Sequence, residues 1–170
     1  VAGHPFESGF DIRLVPQKLE EPLKWRAPRM VFVNSMSDLF HQAVRHEYIL
    51  KVARVMRDAR WHAFQVLTKR ADRLHRMLGG VLAPFATLPN IWWGVSVENR
   101  KHGVPRIALL QDAPVAVRFL SIEPLLEDLG RIDLRGIDWV IVAQGQASPC
   151  PAGSARAGRG ERARRATDGA

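Results

Sequence analysis

The sequence predicts an α/β fold built on a parallel sheet, and three observations carry that prediction. Five short apolar runs rich in β-branched and aromatic residues recur: "MVFV" (30–33), "AFQVL" (63–67), "IWWGVSV" (91–97), "VAVRFLSI" (115–122) and "DWVIV" (138–142). Helix-compatible segments separate the first four, which is the alternation of parallel β/α units. The runs are near-continuously apolar, as expected of strands covered on both faces.

Each element has its own justification. "AVRHEYILKVARVMRDA" (43–59) places Val44, Tyr48, Ile49, Val52, Ala53, Val55 and Met56 near helical spacing, giving one apolar face. "ADRLHRMLGG" (71–80) puts Leu74, Met77 and Leu78 on one side, with Gly79 or Gly80 available as a left-handed C-cap. "VPRIALLQDAP" (104–114) predicts a shorter helix with Pro105 in its first turn and a stop before Pro114. "EPLLEDLGRIDLRG" (123–136) carries little helix signal, and the segment before Trp25 has no obvious opening element.

The chain has 170 residues, enough for one domain with a genuine core, expected over 1–143. Residues 144–170 contain no Val, Ile, Leu, Met or aromatic side chain and are expected to be a disordered basic tail. Of the net charge of +8, that tail supplies +3, so the domain is only moderately basic. A single cysteine, Cys150, excludes an internal disulfide or a multi-thiolate metal site within this chain. No apolar run approaches the roughly 20 residues of a membrane span, and no secretory signal is visible. The expectation is a cytoplasmic protein with no membrane partner.

In parallel β/α folds, chemistry gathers where strands end. The first run ends in Asn34, Ser35, Met36, Ser37 and Asp38, and the second in Thr68, Lys69 and Arg70. The third ends in Ser96, Glu98 and Asn99, and the fourth in Ser121, Glu123 and Pro124. Singly, Ser37, Asp38, Thr68 or Asp72 would serve as helix caps and Asn99 as a turn residue. Together, two carboxylates near two cations form a polar pocket able to hold a zwitterion or a phosphate. His41, His46, His62, His75 and His102 show no metal-site spacing and are expected at the surface or at caps, His4 says little, and Trp92 and Trp93 are expected in the core. There is no P-loop, GxGxxG or GxSxG motif.

The motifs "GHPFESGFDIRL", "RMVFVNSMSDLFH", "FQVLTKR", "IWWGVSVEN", "VRFLSIEPLL" and "IDWVIV", in this order, resemble a phage and bacterial family. It is the gene-product thirty-seven/sixty-eight family, a domain of unknown function also called the three-cysteine-motif family. The resemblance covers residues 3 to 142. It implies a radical S-adenosylmethionine-like protein, with a partial parallel β/α barrel related to the TIM barrel and incomplete at both ends here. Full-length members would hold a [4Fe-4S] cluster and S-adenosylmethionine. The resemblance makes Asn34, Ser35, Ser37, Asp38, Thr68, Lys69, Arg70, Ser96, Glu98, Ser121 and Glu123 the cofactor- or substrate-facing set. The family's three cysteines and its glycine-glycine-glutamate stretch have no counterparts here, so the expectation is an inactive fragment with an out-of-frame tail and no cofactor of its own. A non-catalytic module binding nucleotide or nucleic acid is the alternative.

Overall fold

The structure, a computed structural model, describes residues 14–34 and 37–144. The expected tail from 145 onward and most of the opening segment lie outside the described residues, as do Ser35 and Met36, while Gln144, expected to begin the tail, ends a strand. Five strands, β1 (Met30–Val33), β2 (Ala63–Thr68), β3 (Ile91–Ser96), β4 (Val117–Leu125) and β5 (Trp139–Gln144), form one sheet in sequential order. Every neighbouring pair is parallel, and the sheet curls as a half-barrel. Sequential order is what a barrel requires; a doubly wound sheet would reverse at a switch point.

The helices are α1 (Glu21–Lys24), α2 (His46–Asp58), α3 (Ala71–Leu78), α4 (Ala83–Ala86) and α5 (Pro105–Asp112). Period-two alternation divides each strand between two faces. One set (Val31 and Val33, Phe64 and Val66, Ile91, Trp93 and Val95, Leu120) shares a core with Ile49, Ala53 and Met56 of α2, Leu74 and Leu78 of α3, and Ile107 and Leu110 of α5. Burying a side chain such as Phe64 contributes about 1.5–3 kcal/mol. The alternate set, which includes Phe32, Gln65, Trp92, Phe119 and Trp139, lines the concave face. There the Phe119 ring lies on Gly94, where a Cβ would come within 2.4 Å of it.

Several sequence expectations are corrected here. Helix α2 begins at His46 with Arg45 at its N-cap, so neither Ser37 nor Asp38 caps it. Gly79 closes α3 at φ −79°, not in the left-handed region. Pro105 does open α5, and an extended Ala113 ends it before Pro114. Short helical turns at Pro16–Lys18 and Glu21–Lys24 fill the segment that had no predicted element. Trp93 is fully buried, whereas Trp92 is half-buried on the concave face, its ring 6.0 Å from that of Trp139.

His62 is also no surface histidine. It is buried, and its Nδ1 accepts the Arg29 N–H at 3.1 Å while its other ring nitrogen donates to the Pro22 carbonyl at 3.0 Å. The partners fix the tautomer, because a backbone N–H can only donate and a carbonyl can only accept. This ring therefore ties the 22–29 segment to the start of β2.

Candidate functional site

Among the described residues, Asp38 and the predicted residues at the ends of β2, β3 and β4 lie at one rim in two clusters, whereas Asn34 and Ser37 lie apart. The first is built around Asp38. Its carboxylate accepts from the Phe40 N–H at 2.8 Å, the Thr68 hydroxyl at 2.7 Å, the Lys69 N–H at 3.2 Å and the Arg70 guanidinium at 2.7 Å. Thr68 Oγ1 in turn accepts the Arg70 N–H at 2.9 Å. These bonds fill most of the carboxylate's lone-pair directions. Asp38, Thr68 and Arg70 thus lock the loop after β1 to the end of β2, leaving little capacity for a ligand. Arg73 strengthens the lock from α3, donating to the carbonyls of Phe40, His41 and Val44.

The second cluster is built around Glu98, two residues beyond β3 and only 5% exposed. Arg106, in the first turn of α5, donates to Glu98 Oε2 at 2.8 Å and to the Ser96 carbonyl at 2.6 Å. The Lys69 ammonium pairs with the other oxygen, Oε1. The Lys69 side chain is 57% exposed, so this pair lies at the solvent side of the buried carboxylate. Ser96 and Ser121 are direct register partners on adjacent strands, both buried on the concave face. Glu123 continues that alternation on β4 and is exposed.

The loop that carries Glu98 is held by its own chemistry. Asn99 Oδ1 accepts the His102 N–H at 2.7 Å, and the Asn99 carbonyl accepts those of Gly103 and Val104. The Leu126 N–H donates to the Glu98 carbonyl at 3.1 Å, tying the loop to β4.

Burial pushes the Glu98 carboxyl up, yet Lys69, its own backbone N–H and Arg106 together outweigh that and hold it below the ordinary carboxylate range. A depressed folded-state value means the contribution of Glu98 to stability is complete above the unfolded carboxylate range. It is lost as pH falls through the depressed value. Thermal melts between neutral and acid pH are therefore expected to show a shallower acid limb for Glu98→Gln than for the parent chain. An unchanged limb would remove this linkage.

Of the expected rim residues, Lys69 meets Glu98, and Ser96 and Ser121 are register partners, whereas Arg70 pairs with Asp38. Asn34 ends β1 in the left-handed region at φ 60° and, like Ser37, lines a separate cavity. That cavity, of about 540 Å³, lies beside β1 between the 16–24 turns and α2, among Leu19, Trp25, Val31, Tyr48 and Met56. Its one charged lining residue is Lys18, beside the polar Asn34, Ser37 and Tyr48, and it holds no carboxylate. Arg106 was missed, and only its place in the first turn of the helix that follows a strand-end acid could have marked it.

Among the described residues no helix is long and apolar enough to cross a membrane. A family model described as a protein of unknown function, DUF5131, matches residues 3–150. Comparison with curated proteins and with solved structures gave no match.

Proposed function

The chain belongs to the DUF5131 family of proteins of unknown function, and we propose that its half-barrel holds a small polar ligand on the strand-end rim, as the barrel part of a phage-type radical S-adenosylmethionine enzyme. The observation that carries this reading is the Glu98 cluster: a buried carboxylate held by Arg106 and paired with an exposed Lys69. The sequential parallel half-barrel and the motif resemblance support the enzyme class. S-adenosylmethionine would face the concave side of the rim, where Ser96, Ser121 and Glu123 offer hydroxyls and a carboxylate.

An iron–sulfur cluster would supply the electron for radical chemistry, but the described residues do not fit one. Among them, no three His, Cys, Asp or Glu side chains come together as a metal-binding group. What this chain's own residues can do is bind and orient, and on this reading the chain by itself is inactive. The alternative, a non-catalytic nucleotide- or nucleic-acid-binding module, has the support of the moderate basicity left to the domain when the tail's +3 is taken from +8.

Titration calorimetry with S-adenosylmethionine tests the first reading. Lys69→Ala is expected to weaken binding by about tenfold, the value of one charge-assisted contact. Equal binding by parent and variant would overturn the rim assignment. Binding of a single-stranded oligonucleotide that falls steeply with salt, without S-adenosylmethionine binding, would select the alternative.

A further inference from the structure

We propose that two copies of this chain close one barrel, β5 of each copy pairing in parallel with β1 of the other. Among the described residues both outer edges of the sheet are open, because β1 pairs only with β2 and β5 only with β4. Such an edge presents a row of unpaired N–H and C=O groups, and edge strands are ordinarily blunted by charges or prolines. Neither strand has that protection: β1 reads "MVFV" and β5 reads "WVIVAQ". Met30, Trp139 and Val142 are each half or more exposed, and Phe32 is exposed beside them.

The two edges fit one another. The cavity of about 540 Å³ beside β1 is lined by Val31, Phe32 and Val33 on the strand and by Leu19, Trp25 and Tyr48 around it. A paired strand lies about 4.8 Å from its neighbour, so the space for one is already present. β5 carries side chains that suit it. Val140 packs against the helix-covered core, and alternation puts Val142 on that same face and Trp139 on the concave one.

Geometry selects this pairing over contact between like edges. A two-fold axis that set β1 on β1 would run the strands antiparallel and leave both β5 edges open. A two-fold along the barrel axis sets β1 on β5 twice, in parallel, and closes every edge with two identical interfaces. Each copy curls as a half-barrel, so two complete the turn. A ten-stranded barrel is wider than an eight-stranded one and needs bulkier filling. The concave face offers Phe32, Trp92, Phe119 and Trp139 for it. All strands then point one way, which puts both Glu98 clusters on a single rim.

Sedimentation equilibrium of the full chain, from low to high micromolar concentration, tests the proposal. The expected result is a species of twice the chain mass and nothing larger. Val142→Lys and Phe32→Lys each enter the ring twice and place an ammonium in an apolar contact. Each is expected to raise the dimer dissociation constant about a hundredfold. Circular dichroism establishes that the variants are folded, and the more exposed Val142→Lys keeps the test decisive if Phe32→Lys is not. A parent chain that stays monomeric would overturn the proposal, as would a dimer that Val142→Lys leaves intact. A mass that keeps growing with concentration would also overturn it, because the edges would then pair without closing.

Discussion

Asp38→Ala is expected to destabilise the domain by about 3 kcal/mol, lowering its melting temperature by roughly 9 °C for a chain of this size. The reasoning follows from what the carboxylate touches. Its removal leaves the buried Thr68 hydroxyl, the Phe40 and Lys69 N–H groups and the Arg70 guanidinium without their shared acceptor. Charged acceptors are worth more per bond than neutral ones, and orphaned buried donors retain their desolvation cost. Arg70 is more than one-third exposed, so its share is small and water replaces part of it. Asp38→Asn keeps one oxygen and is expected to lose about half as much. Thermal denaturation followed by circular dichroism measures both. A melting temperature unchanged in Asp38→Ala would mean that the residue is free for a ligand.

Gly103→Ala is the second large effect, expected to cost about 3 kcal/mol and to weaken rim binding at the same time. A Cβ there would lie 2.7 Å from the Asn99 carbonyl oxygen and 2.8 Å from both the Glu98 nitrogen and the Val97 Cα. All three are backbone atoms, so no side chain can swing aside. The 97–104 loop must move, and Glu98 moves with it, out of register with Arg106. The requirement is for space, since Gly103 is not among the positive-φ residues of the described chain. Melting and titration of the same preparation distinguish the outcomes. A variant as stable as the parent would show that the loop yields freely, and a destabilised one with intact binding would separate the loop from the site.

The fold was legible because strand propensity and helical periodicity are local. All five apolar runs became strands, and the three long helical patterns became α2, α3 and α5. Strand-end position also found most of the rim, because chain direction alone places Lys69, Ser96, Glu98 and Ser121 at one edge of a parallel sheet. What escaped the sequence depends on distant partners. Asp38 pairs with groups about thirty residues away, so its near-saturation could not be read from "NSMSDLF". Arg106 sits in a helix where an arginine ordinarily faces water, and only folding turns it onto Glu98. His62 reads as one more scattered histidine until Pro22 and Arg29 are brought to its two nitrogens. The turns at 16–24 were missed because three or four residues carry no periodicity.

Backbone amide spectra of the isotopically labelled chain, recorded while S-adenosylhomocysteine is added, test the central claim most directly. The account predicts shifts concentrated at Lys69, at residues 96–99 and 121–123, and at Arg106, with Leu19, Trp25, Tyr48 and Met56 unmoved. Shifts confined to those last four residues would place the ligand in the cavity beside β1 and contradict the assignment of the Glu98 cluster as the site.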